Sequence, residues 1–417
     1  MEAFAALRGP RSPTGSAIGS GSVSENGREL DVVVFGATGV TGRQVAAYLS
    51  GTDSRWGAAG RDAAKLERTL ADVGAAPTAA LAADLADPGS LAAMAERAAV
   101  VLNLVGPYTN RARPVIEACV AAGAHYADLT GEIPFVREVV DEFDARARDA
   151  GIKLVQVCGF EALPPDLGVR LAAETARDRW GEELAEADVS VGTKGLPGIP
   201  RANDMISGGT FQSMAEMVGH PDPACLTDPA ALIDDPATAQ AVRAHSPITL
   251  RPRTDVRGAV VGPMAPTPFI NPAVIHRSAE LDARERGVTL PLRYGAAGAL
   301  AGVQTGMRAM IRARPVVRER IATGMRKALP SSGFGPQADR LESWKWRMDV
   351  DARTTGSHEL RVRTEADGHP GYLTTARMLG EAGLMLADDE VVPRRAGCLT
   401  PATALEALQV RGAAQPE

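Results

Sequence analysis

Residues 31–50, DVVVFGATGVTGRQVAAYLS, set a β-branched run against three glycines, Gly36, Gly39 and Gly42, in GxxGxxG spacing. Residues 31–35 predict a short parallel strand buried on both faces. Residues 43–50 predict a helix, with Val45 and Leu49 four apart and Gly51 placed to end it. A glycine pattern alone occurs by chance. Between a buried strand and a helix it becomes a phosphate site, because bare glycines let the backbone approach a pyrophosphate and the helix start supplies amide donors. The candidate cofactor residues here are Gly36, Thr38, Gly39, Val40, Thr41 and Gly42.

The alternation continues for about 130 residues in all. RWGAAG reads as a second strand, and RDAAKLERTLADVG as a second helix with Leu66 and Leu70 on one face. TAALAAD is a third strand ending in Asp84. Asp87 then serves as N-cap with Pro88 at the first helical position. AVVLNLVG is a fourth strand, and RPVIEACVAAG a helix with Ile116, Cys119 and Val120 on one stripe. AHYADLTG is a fifth. PFVREVVDEFDARARDAG repeats Phe135, Val139, Phe143 and Ala147 every fourth residue, and IKLVQVCG is a sixth strand. Such a series, closed by right-handed crossovers, predicts an α/β fold: a doubly wound Rossmann parallel sheet, followed by a second, mixed α/β substrate domain.

In these sheets ligands bind beyond the carboxyl ends of the strands. The residue after the second strand separates NAD from NADP: an acid accepts the ribose hydroxyls, whereas an arginine accommodates a 2′-phosphate. Arg61 stands there, and Asp62 is placed to cap the next helix, so NADPH is the expected cofactor. Asp84 and Leu85, ending the third strand, are expected beside the adenine; Asp84 reads equally as a strand-end turn residue. The fourth strand ends in NLVGPY. Asn103 can bond backbone or cofactor, Gly106 and Pro107 force a turn, and Tyr108 either donates a proton or packs over the cofactor. After the fifth strand come Asp128, Thr130 and Glu132. Glu132 is a catalytic candidate alongside Tyr108, although a helix dipole favours a carboxylate there regardless of function. Phe160, Glu161 and Asp166 reach the same edge after the sixth strand.

Beyond Gly168 the alternation stops. ADVSVGTKG reads as a strand, and SGGTFQSMAEMV as a glycine turn into a helix with Phe211, Met214 and Val218 on one face. The amides at Gly208, Gly209 and Thr210 offer either an anion site or a plain turn. Residues 221–258 are rich in Pro and Asp and loop-like. ESWKWRMDVDARTTGSHELRVRTEAD predicts an antiparallel hairpin carrying Trp344, Trp346, Met348 and Val350, then Leu360 and Val362. YLTTARMLGEAGLMLA and LTPATALEALQV read as closing helices. The expected organisation is a disordered leader (1–29), a dinucleotide-binding domain (30–160), a substrate domain (161–370) and C-terminal helices returning to the first domain (371–417).

Composition removes several classes of function. A net charge of −6 and a pI near 5.7 leave no basic stripe for nucleic acid. Residues 294–307, YGAAGALAGVQTGM, are too short to span a bilayer and read as a close-packed internal helix. Four scattered cysteines fit reduced thiols in a cytoplasm. The six histidines show no metal-ligand spacing, and no GxSxG elbow occurs. No metal is expected.

VVVFGATGVTGRQVAAYL, AAGRDAAKL, VLNLVGPY, CVAAGAHYADLTGE, GFEALPPDLG, SGGTFQSM, HPGYLTTARML and GCLTPATAL together resemble the saccharopine dehydrogenase-like superfamily, in particular its actinobacterial trans-acting enoyl reductase branch. The resemblance implies NADPH-dependent reduction of a carbon–carbon double bond on a polyketide- or lipid-derived acyl group, small or carrier-bound. It also carries over the glycines, Arg61 and NLVGPY as the cofactor site. Glu161, Ala162 and Pro165 depart from the Asp and two serines usual in the branch. Two rival readings remain at this stage: C=N chemistry of the saccharopine type, with Arg113, Arg170 and Arg201 as candidate cations, and a non-catalytic NADPH-binding interaction protein. A homodimer is a candidate assembly.

Overall fold

Runs such as LDVVVF and AAVVLN have no polar alternation, so the sheet they build must be covered on both faces. A computed structural model describes residues 2–6, 27–195, 208–248, 253–254, 260–261, 269–286, 293–297, 312–328, 335, 338–388 and 392–405. Its strands in chain order are β1 (Glu2–Ala6), β2 (Leu30–Phe35), β3 (Trp56–Gly60), β4 (Ala79–Ala82), β5 (Ala98–Asn103), β6 (His125–Asp128), β7 (Lys153–Val155), β8 (Leu184–Gly195), β9 (Arg253–Thr254), β10 (Val260–Val261), β11 (Arg293–Ala297), β12 (Lys345–Thr354), β13 (Glu359–Asp367) and β14 (Gly397–Leu399).

The six expected strands are β2 to β7, and they lie in a seven-stranded sheet of order β4-β3-β2-β5-β6-β7-β14. Every neighbouring pair is parallel. Chain order reverses between β2 and β5, which opens a crevice at their carboxyl ends. Local capping sets the helices between them. The Asp62 side chain accepts from the Lys65 amide and starts Ala63–Asp72. Asp87 accepts from the Gly89 and Ser90 amides and starts Pro88–Arg97. Gly123, at φ 69°, ends Arg113–Ala122. The stripe Phe135, Val139, Phe143 and Ala147 of Ile133–Asp149 is buried throughout.

The second half builds a five-stranded sheet of order β1-β13-β12-β8-β11. The expected hairpin is β12 and β13, paired antiparallel. Trp346, Met348, Val350 and Ala352 are buried on one face of β12, where the helix Leu163–Trp180 packs. On the other, Asp349 and Asp351 form two-pronged pairs with Arg363 and Arg361.

Three segments differ from the sequence expectation. Glu2–Ala6, inside the expected leader, pairs in parallel with residues 361–365 of β13. Residues 293–297, which overlap the start of the expected small-residue helix at 294–307, form a strand beside β8; residues 298–311 lie outside the described residues. The last expected closing helix, 399–410, is preceded by the strand β14, which pairs Leu399 with Val155; its helix is Pro401–Ala404, and residues 406–410 lie outside the described residues. In each case a partner far along the chain decides, and short alanine- and glycine-rich runs hold no local preference strong enough to announce it.

One hydrophobic core joins the halves. It runs from Val32 and Leu102 in the parallel sheet through Leu379 and Ala382 of the helix Thr375–Leu386 and Val169 and Ala172 of Leu163–Trp180 to Trp346 and Val350.

Candidate active site

The glycine loop sits at the reversal of strand order, tied to β3 by the Gly36 amide on the Ala59 carbonyl (3.1 Å). Its three glycines answer different demands. Gly36 adopts φ 95°, and a Cβ there would lie 2.9 Å from Val105 Cγ2. A Cβ on Gly42 would lie 2.3 Å from the Gly36 carbonyl oxygen and 2.8 Å from Ala37 Cα, so the helix could not pack on its own turn. Gly39 has no such need: its φ is −75° and a Cβ would meet the Gly36 oxygen at an ordinary 3.4 Å. Gly39 is the N-cap of the helix Val40–Leu49, and no side chain caps that end. A missing side chain beside bare helix amides fits a pyrophosphate approaching the backbone. Thr38, Val40 and Thr41 line the same half-buried turn.

Arg61 follows β3, is exposed, and makes no ion pair among the described residues. Asp62 caps the helix through the Lys65 amide, so its carboxylate is turned to that helix start. Asp84 accepts from the Ala86 amide at 3.0 Å, and its own amide donates to Ser90 Oγ at 3.0 Å. Its carboxylate thus forms a turn at the strand end, with Leu85 packed against the core.

At the reacting end the strand termini are wired together. Asn103 is fully buried; its Nδ2 donates to Tyr126 Oη (3.0 Å) and its Oδ1 accepts from the Val105 amide (3.0 Å). Tyr126 Oη in turn donates to Asp128 Oδ2 (2.8 Å). Burial raises the Asp128 carboxyl to about 7. Beyond Asn103 a cis Gly106–Pro107 bond leads into the short helix Tyr108–Arg111. Tyr108 is 7% exposed, and its phenol donates to the Asn103 carbonyl at 3.4 Å. Burial, then the Asp128 charge, push that phenol well above its ordinary pKa.

The structure brings Tyr108 and Glu132 together, through the backbone. Glu132 is 1% exposed, and its carboxylate accepts from the Tyr108 amide (3.0 Å), the Thr109 amide (2.8 Å), Thr109 Oγ1 and Ser213 Oγ (2.7 Å). It stands before the helix Ile133–Asp149 yet bonds the first amides of a neighbouring helix. Ser213 comes from the helix Gly208–Gly219, which begins at the glycine turn read as either an anion site or a plain turn. Sequence reasoning missed Ser213 and Thr109: Ser213 lies within SGGTFQSM and Thr109 directly after NLVGPY, but neither segment shows that its hydroxyl reaches Glu132. It also missed Val157, a β-branched residue at φ 64° just past β7.

Asp166, raised to about 7 by burial, joins three elements: Oδ1 accepts from Ser278 Oγ (2.6 Å) and Oδ2 from the Ala402 amide (2.8 Å). Two of the candidate substrate cations are engaged with separate partners. Arg113 pairs with Glu138 and Glu142, and Arg170 with Glu174 and the Ala402 carbonyl; Arg201 lies outside the described residues. Among the described residues no group of His, Cys, Asp and Glu is placed to hold a metal, and no helix is long and apolar enough to cross a membrane.

A parallel sheet whose strand order reverses at a glycine loop, with a bare helix end there and an open arginine after the next strand, defines a dinucleotide-binding oxidoreductase. Residues 32–155 match the saccharopine dehydrogenase NADP binding domain, and the cofactor is NADPH. A Mycobacterium tuberculosis protein provisionally named a trans-acting enoyl reductase is 33% identical over 413 residues, covering 91% of this chain and 94% of its own. A trans-acting enoyl reductase of Mycobacterium ulcerans is 31% identical over 414 residues with the same coverage. Among solved structures, apo saccharopine dehydrogenase (L-Glu forming) from Saccharomyces cerevisiae is similar at 14% identity and a TM-score of 0.49, covering 90% of this chain and 95% of that one. The chain belongs to the saccharopine dehydrogenase-like superfamily, among the relatives named trans-acting enoyl reductases.

Proposed function

We propose that this chain reduces the carbon–carbon double bond of an enoyl thioester, on a polyketide- or lipid-derived acyl group that is either free or carried by a partner. The observation that carries the reading is the similarity, over 91% of the chain, to relatives named trans-acting enoyl reductases. NADPH would supply the hydride for the β-carbon. Gly36, Gly39 and Gly42 would admit its pyrophosphate to the amides of Val40–Leu49, and Arg61 would take the 2′-phosphate. Glu132 holds the start of Tyr108–Arg111 against β6 and Gly208–Gly219, and so fixes the turn beside the reacting end. Tyr108, with its phenol on a backbone carbonyl, supports that turn from below.

The saccharopine-type alternative needs cations for several carboxylates, and Arg113 and Arg170 are engaged elsewhere. Following NADPH oxidation with enoyl thioesters of several chain lengths, beside an imine and a 2-oxo acid plus amine, separates the two. Turnover is expected with the thioesters; tight NADPH binding with no thioester reduced at any length would overturn the proposal. In the same assay Arg61→Ala is expected to raise the KM for NADPH roughly 10- to 100-fold, the loss of a charge-assisted contact, and to leave that for NADH nearly unchanged.

A further inference from the structure

Three carboxyl groups stand where β6 and β7 end, and the fold leaves them unequal freedom. Asp128 is fully buried and accepts from Tyr126 Oη and from the Thr130 and Val157 amides. Glu132 accepts four hydrogen bonds. Neither can present an oxygen to a substrate without breaking the turn it holds.

Glu161 differs. It lies between β7 and the helix Leu163–Trp180, partly exposed, and among the described residues no other group hydrogen-bonds or ion-pairs with its carboxyl. Its Oε2 lies 3.2 Å from the point a Cβ would occupy on Gly159, a point that Leu129 Cδ2 and Thr375 Cγ2 approach to 3.4 and 3.6 Å, so the carboxyl folds back toward the strand end. Its charge reaches the Tyr108 phenol, which also feels Asp128 and Glu132. Desolvation raises the Glu161 pKa, opposed only by its own amide, and no cation contributes. A carboxyl set among protein atoms loses the hydration its charged form needs and keeps its proton to higher pH.

The backbone around it is held firmly. Val157 is kept at φ 64° by its amide on Asp128 Oδ1 (3.3 Å), and the next amide, Cys158, bonds the Asp128 carbonyl (2.8 Å). Strain of this kind survives only where the surroundings over-determine it, and it gathers at sites that must aim a group. Phe160 is then pinned by its amide on Thr375 Oγ1 (3.2 Å) and by its ring, edge-on to Trp346 at 4.8 Å. Glu161 follows directly.

We infer that Glu161 is the proton donor of this site, delivering a proton from its carboxyl to the α-carbon of the substrate. The inference rests on the enoyl reduction proposed above. The alkene gains two electrons and one hydrogen as the hydride of NADPH, forming the β-carbon–hydrogen bond, and its π pair moves onto the α-carbon and thioester carbonyl. The O–H bond of Glu161 then breaks as the α-carbon–hydrogen bond forms, and solvent returns a proton to the carboxylate. Tyr108, the other candidate donor, is buried with its phenol on the Asn103 carbonyl.

The test uses Glu161→Gln and Glu161→Asp in the full chain. Glu161→Gln is expected to bind NADPH within twofold of the unaltered protein and to melt at the same temperature. Its kcat should fall about 10²- to 10⁴-fold, the range for losing a general acid, with Glu161→Asp at least tenfold faster than the glutamine variant. Turnover in D₂O should place deuterium on one face of the α-carbon, and the residual turnover of Glu161→Gln should lose that preference. Without cofactor or substrate, the infrared difference between the unaltered protein and Glu161→Gln should show a protonated carboxyl titrating above the usual carboxylate range. If the unaltered protein reduces thioesters while Glu161→Gln keeps kcat within twofold and the same facial preference, this assignment alone is overturned. If the unaltered protein reduces none, the enoyl reading falls, and the assignment with it.

Discussion

Gly39 and Gly42 look alike in the sequence and do different work. A methyl group on Gly42 would be driven to 2.3 Å from the Gly36 oxygen, a backbone atom that cannot swing aside. Gly42→Ala should therefore lose about 2 kcal/mol or more of stability, in the range for overpacking, and calorimetry should show the melting point falling by several degrees. Gly39→Ala meets only an ordinary contact at a φ any residue adopts. Its melting point should stay within a degree or two, while NADPH affinity measured by fluorescence titration drops tenfold or more. Equal melting points for the two variants would refute this division of roles. The spacing announced a phosphate turn; which glycine serves the fold and which the ligand depends on distances to Gly36 and Ala37, which the spacing does not contain. The same holds for Glu132. Its position after a strand suggested chemistry, and the four donors around it, one contributed by Ser213, turn it toward positioning.

Polar nodes join elements that are distant in the chain. Asp166 in Leu163–Trp180, Ser278 in Asn271–Arg286 and the Thr400–Ala402 turn share one network, with Ser278 Oγ also 2.6 Å from Thr400 Oγ1. Asp166 titrates at about 7 in the fold against an ordinary 3.8, because burial penalises its charged form. Between those values the folded chain holds a proton that the unfolded chain has released. The stability this contributes is complete below about pH 4 and is lost as pH rises through 7. Asp166→Asn keeps an oxygen for the Ala402 amide and removes the titration. Urea melts from pH 5 to 7 should then show a shallower decline, by up to about 1.4 kcal/mol per pH unit; an unchanged slope would place the proton elsewhere. Asp128, also at about 7, contributes with the same sign, so a slope remains in the variant. The helices here were legible because caps such as Asp62 and Asp87 act within three residues. The node was not, since its members are more than a hundred residues apart.

At the scale of the molecule, the helix Thr375–Leu386 packs on Val40–Leu49 and β5, and one core runs through it to the second sheet. Chains of this length commonly unfold in stages. A shared core predicts instead that urea unfolding followed by far-UV circular dichroism and by tryptophan fluorescence coincides, with Trp56 in one sheet and Trp346 in the other. Leu379→Ala should shift both curves together by about 3 kcal/mol; separate midpoints would show that the two sheets unfold independently. The sequence by itself determined the nucleotide half: six short strands, the helix caps and the glycine turn are local patterns, set by side-chain branching and hydrogen bonds within a few residues. Only the tertiary structure decided that residues 2–6 and 397–399 become edge strands, that residues 293–297 extend beside β8, and that, among the described residues, Glu161 alone of three acids has a carboxyl bonded by no other residue. Strand partners and the burial of a charge are set by atoms distant in the chain, and a carboxylate's role follows from how many donors surround it once the chain has closed.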